Sequence, residues 1–144
     1  MTDNRSAEDG AAIVRRRTVN DLLQDARARL DRLEPADAHR AVLDGEAIMI
    51  DTRCADLRRE AGVVPGSIHV PLSVLYWRLD PASGHDDPGL SDPAARIVLL
   101  CAHGYSSSVA AATLHDLGFD RATDIIGGFE AWAAAGLPVE PATD

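Results

Sequence analysis

Arg96-Ile97-Val98-Leu99-Leu100-Cys101-Ala102-His103-Gly104-Tyr105-Ser106-Ser107 runs from an unbroken aliphatic string into a cysteine and then a short polar loop. Ile97 to Leu100 show no polar alternation, the pattern of a strand buried on both faces, as in a parallel sheet. The string stops abruptly at Cys101. Residues 107–117 are alanine-rich and Gly118 closes them, so a helix follows the loop directly.

The flanking sequence repeats this alternation. Upstream, Pro35 in a first turn and Gly45 just beyond the end bracket a helix, followed by the strand Ala47-Ile48-Met49-Ile50, whose end Asp51 marks. Ile68-His69-Val70 reads as a short strand closed by Pro71, Leu72 to Leu79 as a helix, and residues 81–93 as a Gly/Pro/Asp surface loop. Downstream, Thr123-Asp124-Ile125-Ile126 is a last short strand, and Gly127-Gly128 opens a terminal helix ending at Gly136. Residues 18–31 form an N-terminal helix, with Thr18 as N-cap and Leu22, Leu23, Ala26 and Leu30 at helical spacing. Residues 1–17 show no sustained period and read as a mobile tail, and residues 141–144 as a C-terminal tail. Alternating strands and helices predict an α/β fold, a mainly parallel central sheet with helices on both faces, whose binding sites lie beyond the carboxyl ends of the strands. Cys101 sits at such an end.

Bulk properties agree with one domain. The chain has 144 residues, 46% hydrophobic and 26% charged, but only 4% aromatic, so its core is mostly aliphatic. Fourteen basic against twenty-three acidic residues give a net charge of −9, which disfavours nucleic acid and anionic membranes as partners. No stretch approaches the roughly 18 apolar residues of a membrane span, and Arg15-Arg16-Arg17 precedes polar residues with no apolar export signal. A soluble, cytoplasmic protein is expected. The two cysteines, Cys54 and Cys101, are too few for a disulfide framework and lack zinc-ligand spacing, and His39, His69, His85 and His115 show no mutual ligand spacing either. No metal and no cofactor is predicted.

The chemistry concentrates in Cys101 to Ser107. A loop between a strand and a helix N-terminus can turn several N–H groups toward one point, Gly104 permits the backbone angles this needs, and the helix dipole adds positive potential. All of this favours thiolate over thiol at Cys101. Such a thiolate can attack the outer sulfur of thiosulfate, displace sulfite and retain a persulfide held by the same amides. Ser106 and Ser107 are read as helix N-caps with hydroxyls also available to the sulfur. The competing reading makes Cys101 a small buried hydrophobe at a strand end.

The loop resembles that of the rhodanese-like domains, whose short single-domain thiosulfate sulfurtransferases carry Cys-x-His-Gly-x-Ser-Ser. The resemblance extends to Asp51-Thr52-Arg53, to the segment from Gly62 to Pro71, and to Gly127-Gly128-Phe129-Glu130-Ala131-Trp132. It implies a rhodanese-like domain over residues 32–140. It also implies sulfur transfer through Cys101, a binding loop of Ala102, His103, Gly104, Tyr105, Ser106 and Ser107, and a supporting role for Asp51 and Arg53. The partners it implies are a small sulfur donor and a cyanide, thiol or protein acceptor. Trp132 is expected to plug into the core. Cys54 is either a resolving thiol or a bystander, His103 either tunes the cysteine or faces solvent, and Tyr105 projects from the loop tip.

Two departures bear on the chemistry. The family's Gly-His-Ile-x-Gly-Ala is replaced by Gly62-Val63-Val64-Pro65-Gly66-Ser67, which affects packing but removes no reactive group. The loop carries no Arg or Lys, so anions must be bound mainly by backbone amides. Tyrosine-phosphatase and arsenate-reductase types use Cys-x5-Arg, and here the sixth position after Cys101 is Ser107. The remaining alternative is a rhodanese-like module that binds partners without catalysis.

Overall fold

The computed structural model describes residues 15–143; residues 1–14 of the expected tail, and Asp144, lie outside the described residues. Four strands form one parallel sheet: β1 (Ile48–Asp51), β2 (Ile68–His69), β3 (Ile97–Leu100) and β4 (Thr123–Asp124), in the order β2-β1-β3-β4. β1 and β3 pair over their full length, Ile48 opposite Ile97 and Asp51 opposite Leu100, so they end side by side. The chain leaves β1 toward β2 and returns on the other side as β3. The gap between their carboxyl ends is therefore the switch point where an open α/β sheet places its site.

Strand alternation sorts the aliphatic residues onto two faces. Ile50, Ile97 and Leu99 pack with Leu75, Leu79, Ala110, Ala111, Leu114 and Phe119, under α4 (Leu75–Leu79) and α5 (Ser106–Asp116). Met49, Val98 and Leu100 pack with Ala38, Ile125, Phe129 and Trp132, under α2 (Pro35–Leu43) and α6 (Gly128–Ala134). Helices thus cover both faces, and with few aromatics Trp132 and Phe119 anchor one core each. Trp132 is fully buried and its indole N–H donates to Pro138 O at 2.8 Å. Each such side chain stabilises the fold by about 2–3 kcal/mol relative to its exposed state.

The N-terminal helix, α1 (Val19–Ala28), begins with a reciprocal capping box: Asp21 N–H donates to Thr18 Oγ1, and Thr18 N–H to the Asp21 carboxylate. It packs on α5 and ends at Ala28, short of the boundary read from its apolar spacing. Two further expectations are corrected. Leu72 to Leu79 is a 3-10 turn (Leu72–Val74) followed by a short α-helix, because Val74, at φ −120° and ψ 1°, departs from helical geometry and separates the two. Of the residues 123–126, only Thr123 and Asp124 join the ladder; Ile125 makes a single bridge to Leu33. A helix that the sequence pattern does not announce, α3 (Ala55–Ala61), follows β1.

Candidate active site

β3 delivers Cys101 to the switch point, and five residues later α5 begins. Gly104 has φ +82°, a conformation that favours glycine, and its N–H donates to Cys101 Sγ at 3.2 Å. The thiol in turn donates to Ser107 Oγ at 3.1 Å. Burial pushes the Cys101 thiol up, but the Ser107 and Ser106 hydroxyls and the Ser107 and Gly104 amides outweigh it and hold the thiol below its ordinary range. The serines are not N-caps. Tyr105 is already helical in φ and ψ and occupies the cap position without a side-chain bond, which places Ser106 and Ser107 in the first helical turn. Ser107 Oγ instead accepts from the Cys101 thiol.

The underside of the loop rests on the diglycine. Phe129 N–H donates to Cys101 O at 2.8 Å and Glu130 N–H to Ala102 O at 3.1 Å, so the first turn of α6 holds the loop's opening carbonyls. Contact is so close that a Cβ on Gly128 would lie 2.5 Å from Cys101 O, 2.7 Å from Gly104 N and 2.8 Å from His103 N. Gly127-Gly128 thus does more than turn the chain; it lets two backbones nest.

Behind the loop lies a polar group that the sequence reading passed over. Asp124, fully buried on β4, accepts from Ser107 Oγ and Ser108 Oγ, each at 2.7 Å, and from Arg32 Nε at 2.8 Å and Arg32 Nη2 at 3.3 Å. Arg32 Nη2 also donates to Gly104 O at 3.1 Å, as does Arg27 Nη2 at 2.7 Å, while Arg27 Nε reaches Ser108 Oγ at 3.2 Å. Both guanidiniums therefore hold the carbonyl of Gly104, the residue whose N–H donates to the sulfur. An acid inside the apolar string Thr123-Asp124-Ile125-Ile126 was the available signal, since a buried carboxylate needs donors.

The other predicted residues fall into three places. Asp51, at the end of β1 opposite Leu100, and Arg53 form a buried bidentate pair at 3.0 and 2.8 Å, joined by Arg58 Nε on Asp51 at 3.2 Å and Arg53 Nη2 on Gly62 O at 2.9 Å. The Arg53 guanidinium stacks 4.0 Å from the centroid of Phe129, the residue whose N–H holds Cys101 O. His103 points outward to Glu130, 3.3 Å away. Ala102, half-buried, contributes its carbonyl. Tyr105, 62% exposed, borders an apolar groove of about 470 Å³ with Val19, Leu23, Ser106 and Val109. Cys54 is an exposed free thiol at the head of α3. His39 packs edge-on against Trp132, while His69 and His115 bond the carbonyls of Arg53 and Ala122.

Comparison with known proteins agrees with this architecture. A Rhodopseudomonas palustris structure, described as a protein of unknown function and possible tyrosine phosphatase, superposes with a TM-score of 0.81 at 30% identity, covering 91% of this chain and all of that one. Thiosulfate sulfurtransferase GlpE from Actinobacillus pleuropneumoniae is 44% identical over 110 residues, 76% of this chain and 93% of that protein. GlpE from Actinobacillus succinogenes is 31% identical over 110 residues, 76% of this chain and 90% of its own length. The Rhodanese-like domain family matches residues 34–135, a span holding the whole sheet and the loop that seats Cys101, and the chain belongs to that family.

Proposed function

We propose that this protein is a sulfurtransferase that moves sulfane sulfur from thiosulfate, or a similar donor, to cyanide or a thiol through a persulfide on Cys101. The thiolate attacks the outer sulfur, the sulfur–sulfur bond of thiosulfate breaks, and its electron pair leaves with sulfite. Attack of the acceptor on the terminal sulfur then returns the thiolate and yields thiocyanate or a new persulfide. The carrying observation is a thiol held below its ordinary range by the amide of Gly104 and the loop hydroxyls, with no side-chain cation in the loop. A persulfide is a small anion, and these donors suit it. The GlpE relatives, named as thiosulfate sulfurtransferases, support the same reading.

Phosphatase chemistry, the possibility named for the Rhodopseudomonas protein, is disfavoured by the loop. A phosphate needs a guanidinium on the concave side, whereas Arg27 and Arg32 are committed to Gly104 O, Ser108 and Asp124. Intact mass after incubation with thiosulfate tests the proposal. Wild type should gain one sulfur atom, lose it to cyanide, and show no hydrolysis of p-nitrophenyl phosphate, while Cys101→Ser should gain nothing. Failure of several donors to add sulfur would leave a binding module.

A further inference from the structure

We propose that Asp124 is a positioning residue for Cys101, holding the Ser107 hydroxyl proton while the sulfur is protonated and releasing it to the sulfur when the sulfur is anionic. The inference deepens the sulfur-transfer reading, in which Cys101 alternates between thiol and anion.

Ser107 has one proton and two claimants, Asp124 Oδ2 at 2.7 Å and Cys101 Sγ at 3.1 Å. With a thiol present, the donors run one way, from S–H to Ser107 and from Ser107 O–H to the carboxylate, and each bond polarises the next. Ionisation removes the first donor and sets an oxygen lone pair against a sulfur anion. Rotation of the hydroxyl about its C–O bond resolves the conflict, and no covalent bond breaks. The carboxylate can release that proton because Ser108 Oγ at 2.7 Å and both Arg32 contacts remain on it. Arg32 is 15% exposed in its side chain and Asp124 not at all, so water does not replace the missing donor.

The charged groups around this chain of bonds are few. Arg27 from α1 and Arg32 from the following turn stand behind the loop, His103 and Glu130 pair at its solvent edge, and Arg53 lies beneath Phe129. Among the described residues, none of these groups hydrogen-bonds Ser107 Oγ or the sulfur. Arg32 and Arg27 lie outside the residues matched to the family, so this arrangement is supplied by the chain's own N-terminal segment.

The test is the thiol titration of Cys101, read by alkylation rate against pH in Cys54→Ser protein without any sulfur donor. In Ser107→Ala the anion loses a hydroxyl donor and the midpoint rises by about one pH unit; Ser107→Thr, which keeps the hydroxyl, restores it. In Asp124→Asn, Arg32 fixes the amide oxygen, the amide N–H₂ faces the serines, and Ser107 turns its proton to the sulfur, so the midpoint falls by about one unit. In the Ser107→Ala background Asp124→Asn should move the midpoint by less than half as much. An equal fall with and without Ser107 overturns the proposal, because Asp124 would then act only as a distant charge. So does an unchanged midpoint in Ser107→Ala, which decides the matter even where Asp124→Asn fails to fold. Because no sulfur is transferred in this assay, failed persulfide formation with these shifts intact counts against the function alone.

Discussion

Gly128→Ala is the sharpest test of how the loop is supported. Two costs follow from the structure. Gly128 sits at φ +62°, where a side chain costs about 1–2 kcal/mol. Its Cβ would also stand 2.5 Å from Cys101 O, against about 3.4 Å for ordinary contact, and the atoms in the way are backbone rather than the end of a flexible side chain. Relieving that overlap moves the loop and α6 apart by about 0.9 Å, at a further cost of about 1–3 kcal/mol. Together these amount to about 3 kcal/mol, or about 10 °C in melting temperature for a chain of this size. A displacement near 1 Å at the nucleophile lowers turnover by about a hundredfold. Gly136→Ala is the matched control, with φ +74° and nothing within 4 Å of the added carbon. It should lose only the backbone cost, a few degrees, and keep its turnover. Thermal melts beside thiosulfate:cyanide turnover read both effects. Equal melting losses in the two variants, with turnover retained in Gly128→Ala, would refute the nested-backbone account.

Alkylation of Cys101 in wild type should show a midpoint below the value of about 8.5 for a free thiol. Because the native thiol is depressed relative to the unfolded one, its stability contribution is present above the unfolded value and fades as pH falls through the native one; a midpoint above 8.5 contradicts this sign. Arg53→Ala removes one of the two guanidiniums on the buried Asp51 carboxylate, leaves Arg58 as its cation, and should destabilise urea unfolding by less than the about 3–5 kcal/mol of a wholly unpaired buried charge. Cys54→Ser should leave turnover unchanged, since that thiol is exposed and lies outside the loop, and a large loss would reveal a resolving role.

The parts legible from sequence are those where local pattern and tertiary placement agree. Ile97 to Leu100 read as a buried strand because all four are buried, and Gly104 read as a conformational necessity because its φ is positive. α3 was illegible for the opposite reason. Its one large apolar residue, Leu57, is 42% exposed, while Arg58 turns inward to Asp51, so the helix is patterned inside out. Asp124 escaped notice because its meaning resides in a partner 92 positions away, Arg32, and no local period encodes such a pair. The serine caps fail because the helix begins at Ser106 and the cap position falls on Tyr105, whose side chain makes no capping bond.

The two guanidiniums on Gly104 O also bear on where the cooperative unit ends. A fragment beginning at Glu34 would keep every residue matched to the family, yet strip Arg27 and Arg32 from the loop and leave the Asp124 carboxylate sealed in the interior without its cation. Amide hydrogen exchange in the intact chain should accordingly show Gly104 and the head of α5 opening together with the N-terminal helix, as one foldon that crosses the family boundary.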